Sequence, residues 1–169
     1  MKRIIKLPER LNELVYFISE GATVADIGTD HGFLPVYLAQ TGLARRIIAS
    51  DISAGSLEAA RRTAGKFGVT EKITFIVAPG LDGVAQTEVD TIVIAGMGGE
   101  TIVSILEGAP WTKQRGMKLI LQPQTKIDVL FRFLYDNGYT IHNTKQVQDR
   151  KRQYTIIHVM KGLYVPCQM

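Results

Sequence analysis

The segment 24-VADIGTDHGFLP-35 decides the fold. It begins inside an apolar run, 22-ATVADI-27, of the kind that is buried on both faces in a parallel sheet covered by helices. Gly28 follows at once, then Thr29, Asp30 and His31, and Gly32 opens a helical pattern over residues 32–41. Strand, glycine turn and helix in that order make one βα unit. In sheets built from such units, ligands sit at the carboxyl ends of the strands. The turn therefore raises a choice between a catalytic Asp30-His31 pair and a loop on which a cofactor lies against the backbone.

The same rhythm repeats downstream. Short apolar runs at 46–50, 73–78, 90–95 and 117–121 predict further strands, and patterns at 9–19, 53–67, 99–107 and 126–137 predict helices. Ser53 is placed to cap the 53–67 helix, and Gly68 to stop it. Asn137-Gly138 ends the last helix. Then the pattern changes: residues 139–147 and 153–160 predict two strands, with the charged segment 148–152 as their turn. Five βα units closed by a hairpin predict an α/β fold with a doubly wound sheet. A closing antiparallel hairpin is not the ordinary dinucleotide-binding ending. It is the usual ending of the Rossmann-like, seven-stranded class I S-adenosylmethionine-dependent methyltransferase sheet.

Composition narrows the class. The chain has 169 residues, 46% hydrophobic and 21% charged, which suits one globular domain. No apolar run approaches the roughly 20 residues of a membrane helix, so no membrane association is expected. Cys167 is the single cysteine, which excludes an intrachain disulfide. No histidine or cysteine spacing suggests a metal, and a reducing cytoplasm is the expected location. The net charge of +4 permits a polyanionic partner. The positives cluster at Lys2, Arg3, Lys6 and Arg10, at Arg45-Arg46, at Arg61-Arg62, and at Arg150-Lys151-Arg152. Each cluster alone reads as a solvated face; together they tilt toward nucleic acid.

The glycine spacing in 26-DIGTDHG-32 is G-x-x-x-G, not the G-x-G-x-x-G of pyrophosphate sites. Asp26 also places a carboxylate where a pyrophosphate would be repelled, whereas a cationic sulfonium with an amino-acid tail tolerates it. Asp51 ends 47-IIASD-51, 23 residues after Gly28, where a carboxylate can accept both ribose hydroxyls. An Asp after a strand is otherwise a common helix cap. In 79-PGLDG-83, a backbone amide or the Asp82 carboxylate can meet an adenine edge, or the segment is an ordinary turn. The donor site is accordingly expected over Asp26, Gly28, Thr29, Asp30, His31 and Gly32. It continues with Asp51 and Ile52, then with Gly80, Leu81 and Asp82. Ala95, Gly96, Met97 and Gly98 complete it.

The fourth strand ends in 94-IAGMGGET-101, whose glycines make a surface that can admit a flat base. The fifth ends in 121-LQPQT-125, which brings two amide side chains to the same rim. DIGTDHG, ASDIS, IAGMGGETI and LILQPQT in this order resemble the bacterial tRNA (adenine(22)-N(1))-methyltransferase family, from about residue 7 to 160. The resemblance implies S-adenosyl-L-methionine as donor, adenine N1 of a tRNA as acceptor and a Rossmann-like catalytic domain over 1–163 with a tail at 164–169. The family's helical C-terminal extension is expected to be absent. By matching position, Asp26, Gly28 and Asp51 belong to the donor site, and Met97 with its glycine neighbours to the methyl-transfer site.

Adenine N1 is itself the nucleophile, so no enzyme nucleophile is required. Asp30, Met97 and Gln122 are the expected catalytic residues, Asp30 as stabiliser of the cationic product or, alternatively, as cap of the helix at Gly32. Gly98, Gly99, Gln122, Gln124, Arg150, Lys151 and Arg152 are the expected RNA contacts. Tyr154 is a core aromatic or a base-stacking one, and His142 and His158 read as structural. A methyltransferase for a small molecule or protein, and a donor-binding module without its own activity, are the competing functions.

Overall fold

The computed structural model describes residues 3–161. The strands are β1 (Ala22–Ile27), β2 (Ala44–Asp51), β3 (Ile73–Val77), β4 (Thr91–Met97), β5 (Lys118–Pro123), β6 (Ile141–Asp149) and β7 (Arg152–Met160). The helices are α1 (Glu9–Val15), α2 (Phe33–Thr41), α3 (Ala54–Phe67), α4 (Gly99–Glu107) and α5 (Ile127–Asp136). One seven-stranded sheet runs β3-β2-β1-β4-β5-β7-β6. β1 to β5 are parallel, and β7 pairs antiparallel with both β5 and β6. The expected doubly wound sheet with its terminal hairpin is the observed one.

β1, β2, β4 and β5 are largely buried on both faces, which is why these strands lack polar alternation. Val24, Ile47, Val93 and Ile120 face a cluster with Leu14, Leu34, Leu38 and Ala64 of α1 to α3. Ala25, Ile48, Ile94 and Leu121 face the cluster with Ile102, Leu106, Leu130 and Leu134 of α4 and α5. Ser53 caps α3 by accepting from the Ser56 amide at 3.2 Å, and Gly68 ends it at φ +72°. The first helix is shorter than its pattern, since the chain leaves it at Tyr16. The hairpin turn is also tighter than expected: Asp149 and Arg152 are already paired, so only Arg150 and Lys151 turn.

Strand order reverses between β1 and β4, on either side of which the chain winds in opposite directions. The crevice that this leaves at the strands' carboxyl ends positions everything below.

Candidate active site

A cavity of about 540 Å³ opens at this switch point, within the range of small-molecule sites. Every parallel strand contributes its end: Asp26 to His31 at the end of β1, Asp51 and Ile52 at that of β2, Ala78 to Gly80 after β3, Ala95 to Met97 ending β4, and Gln124 beyond β5. Of the expected donor residues, Asp26, Gly28, Thr29, Asp30, His31, Asp51, Ile52, Gly80, Ala95, Gly96 and Met97 are brought together here.

The carboxylates are held by their neighbours. Asp51 Oδ2 accepts from the Asp30 amide at 3.1 Å and Oδ1 from the Ser53 amide at 2.9 Å. Each oxygen keeps a lone pair for a ligand hydroxyl. Asp26 Oδ2 accepts from Thr29 Oγ1 at 2.9 Å. Burial pushes the Asp26 carboxyl up to about 7, and the nearby Asp51 charge adds to the rise. The turn is fixed by Gly28 and Thr29 amides donating to the Ser50 carbonyl at 2.8 and 3.0 Å. Gly28 takes φ +74°, and a Cβ there would strike the terminal methyl of Met97. The glycine thus serves the Met97 side chain as well as the turn.

Asp30 adopts φ +54°, which Asp tolerates better than most residues. Its carboxylate is exposed and stands 3.9 Å from His31 Nε2. It does not cap α2, whose cap residue Gly32 receives no side-chain bond. His31 stacks on Phe33 with ring centroids 5.6 Å apart.

Nine expected site residues lie outside this cavity, three of them, Arg150, Lys151 and Arg152, at a second one. Gly32 sits outside the cavity, and a Cβ on it would meet Ala60 at 2.8 Å, so it closes the packing of α2 on α3. Leu81 is core, and Asp82 is exposed off the cavity. Gly98 and Gly99 face the β5–α5 loop: a Cβ would meet Thr125 Oγ1 at 2.9 Å from Gly98 and the Lys126 carbonyl from Gly99. These two glycines therefore let the start of α4 lie against that loop, and only Gly96 of the trio opens onto the cavity. Gln122 is wholly buried behind the rim, paired in the sheet with Ala95, and among the described residues neither of its amide atoms has a partner. His158, packed on Phe17, and His142 lie away from the crevice.

Other lining residues carried no expectation. Arg10 and Leu11 arrive from α1 through tertiary packing alone, without a local signal. Thr101, Ser104 and Ile105 line the cavity from α4. Their i, i+3, i+4 spacing on a helix that starts at the crevice was a usable signal. Arg150, Lys151 and Arg152, by contrast, were expected RNA contacts, and they line a second cavity of about 570 Å³ beside the first.

A switch-point cavity with carboxylates ending β1 and β2, in a sheet closed by a β5-β7-β6 hairpin, defines a methyltransferase domain. The family described as "Methyltransferase domain" matches residues 7–157. The tRNA (adenine(22)-N(1))-methyltransferase of Bacillus subtilis is 33% identical over 94% of this chain and 66% of its own length. The crystal structure of the B. subtilis M1A22 tRNA methyltransferase TrmK superposes with a TM-score of 0.87 at 32% identity, covering 93% of this chain and 67% of that one. A Streptococcus pneumoniae structure in complex with S-adenosyl-L-methionine gives 0.86 at 34% identity, over 93% and 74%. The chain belongs to the tRNA (m1A22) methyltransferase family of methyltransferase domains. It spans 62% to 66% of the length of the curated tRNA methyltransferases that it matches.

Proposed function

We propose that the chain is the donor-binding, catalytic domain of a cytoplasmic enzyme that moves a methyl group from S-adenosyl-L-methionine to N1 of adenosine 22 in tRNA. The observation that carries this is the pair of strand-end carboxylates, Asp26 and Asp51, flanking the Gly28 turn. The residues fit the donor. The spare lone pairs of Asp51 suit a ribose diol, and Asp26 regains its charge beside an ammonium group. Gly96 leaves backbone open along the cavity wall, whereas Gly80 lies close against Ile105. Among the described residues no helix is long and apolar enough to cross a membrane, and no cluster of three or more metal-ligating side chains occurs.

When bound, the donor supplies a methyl on a cationic sulfur, an electrophile that needs no activated enzyme nucleophile. The chain's task is to hold N1 in line, an orientation term worth up to about 7–11 kcal/mol. N1 lies on the Watson–Crick edge, so a paired adenine must first swing out of its stack. Met97, on the rim between Gly28 and Gly96, supplies an apolar wall that excludes water. Gln124 offers an amide to a base edge from the same rim. Asp30 presents a carboxylate that stabilises the cationic methylated base until its N6 proton leaves.

The test is labelled donor with unmodified tRNA transcripts, followed by nucleoside analysis. N1-methyladenosine at position 22 is expected, and absence of donor binding by calorimetry overturns the reading. Donor binding without transfer to any tRNA points to a binding module that acts with a partner, which the 62% to 66% span keeps open. An Asp30→Ala chain with undiminished turnover removes Asp30 from the mechanism.

A further inference from the structure

The second cavity has no part in holding the donor. It lies under the β6–β7 turn and is lined by Pro8, Arg10, Asp149, Arg150, Lys151, Arg152 and Tyr154. Four cations face one carboxylate there. That carboxylate is already engaged, since Asp149 Oδ2 accepts from the Arg10 amide at 3.2 Å. None of the four cationic side chains forms an ion pair among the described residues. Arg10 is half-buried and lines both cavities, so this residue stands at their junction.

The frame around this cavity is fixed. The Arg10–Asp149 bond ties the first turn of α1 to the hairpin, and the Glu13–Lys145 pair ties its second turn to β6. The turn itself places Arg150 at φ +57°, where Asn or Gly is the unstrained choice in a two-residue hairpin. Charge occupies a position that backbone preference would give to another residue. Tyr154 and Pro8 add a half-buried, partly apolar wall. Cations without counter-charges beside an aromatic ring are the means by which proteins hold single-stranded nucleic acid.

We propose that this cavity seats the RNA nucleotide adjoining the acceptor adenine, with its phosphate on Arg10, Arg150, Lys151 and Arg152 and its base against Tyr154. The inference rests on the methyl-transfer reading above and gives it a strand path. Arg10 sets the distance between the anchored phosphate and the base that enters the first cavity. An acidic protein segment is disfavoured, because the ring and the junction with the donor cavity would then have no use.

The experiment compares the wild-type chain with R150A/K151A/R152A and with Tyr154→Leu. Fluorescein-labelled unmodified tRNA is titrated by anisotropy across a salt series, and donor affinity is measured by calorimetry. The triple variant is expected to bind tRNA about tenfold or more weakly and to lose about two units of the log K against log[salt] slope. Its KM for tRNA rises by a similar factor while kcat stays within about threefold. Tyr154→Leu weakens binding about tenfold with the salt slope unchanged. Donor affinity is unchanged in both variants. A wild-type chain that methylates tRNA while both variants match it in affinity and slope overturns this inference alone. A wild-type chain that binds donor but no tRNA at any salt overturns both the inference and the RNA part of the proposed function. Preferential binding of poly-glutamate over tRNA overturns it in favour of an acidic partner.

Discussion

At the ends of β1 and β2 the polar side chains that line the crevice answer one another. Thr29 donates to Asp26, and the amides of Asp30 and Ser53 donate to the two oxygens of Asp51. At the end of β5, two strands from β1, Gln122 is buried and both its amide atoms lack a partner among the described residues. Among the described residues both carboxylates of the β1 and β2 side are bonded, and only Ser50 Oγ, behind them on β2, lacks a partner. Such bonded groups are held before a ligand arrives, because their rotation breaks a bond in a low dielectric. A side with an unpartnered amide carries a desolvation penalty that a ligand's own polar edge can relieve. On the proposed function, the carboxylates of the donor half are held in advance, whereas Gln122 in the acceptor half carries two polar atoms that nothing among the described residues satisfies.

Asp26 tests the donor half most severely. Its carboxyl titrates at about 7 in the folded chain against an ordinary 3.8, so the folded state holds a proton that the unfolded chain has released. The stability linked to this group is fully present below about pH 4, declines as the pH rises, and is lost above about pH 7, a change of about 4 kcal/mol. Asp26→Asn removes that slope. Urea unfolding of the donor-free chain at pH 5 and pH 8 is expected to show the parent losing stability where the variant does not. Equal losses in both chains would place the pH sensitivity elsewhere and break the account of Asp26. Donor binding near pH 6 is expected to expel the proton, which calorimetry in two buffers of different ionisation enthalpy detects.

The next effect belongs to the acceptor half. A Cβ on Gly99 would run into the Lys126 carbonyl, a backbone atom that cannot swing aside, so Gly99→Ala is expected to cost about 3 kcal/mol in thermal unfolding. Gly96 has open space, with only Gln124 Nε2 at 3.8 Å, but it takes φ +75°, so Gly96→Ala is expected to cost about 1–2 kcal/mol. If the two rank the other way, the division of the glycine run into a packing end and a cavity end is wrong.

Asp51→Asn is smaller and specific to the ligand. The amide keeps one acceptor oxygen and loses the charge, and the donor's Kd is expected to rise about 30-fold, about 2 kcal/mol, by calorimetry. An unchanged Kd removes the ribose role from Asp51.

The same contrast explains what could be read from the sequence. The donor half is local: a strand, a glycine turn and a carboxylate at each of two strand ends, all within residues 22–52. The sheet was legible for the same reason, since apolar runs and caps such as Ser53 and Gly68 are short-range signals. The roles of Gly32 and Gly99 were not, because Ala60 and Lys126, against which they pack, are 28 and 27 residues away in sequence. Arg10 reaches the crevice only because α1 is bound to the far hairpin. Glycine in a loop signals that something comes close; whether a ligand or the chain itself does is decided by tertiary structure.

Gln122 gives the smallest effect and separates the halves most cleanly. On the face that carries Ile120 it stands next to Ala95, which lines the cavity. Gln122 is outside the cavity lining, so its amide meets a base only if the rim opens; it can then pair with the N6 and N7 edge of adenine, which leaves N1 free for the methyl group. Gln122→Leu keeps the volume and removes both unpartnered atoms, so it is expected to stabilise the chain by about 1 kcal/mol and raise Tm by about 2–4 °C. Donor affinity should not move, while kcat on tRNA falls about tenfold or more. A variant that is more stable and fully active makes the amide a packing fault with no part in base recognition. One that is less stable shows the amide to be bonded within the fold, and the contrast between the two halves then fails at the residue on which it stands.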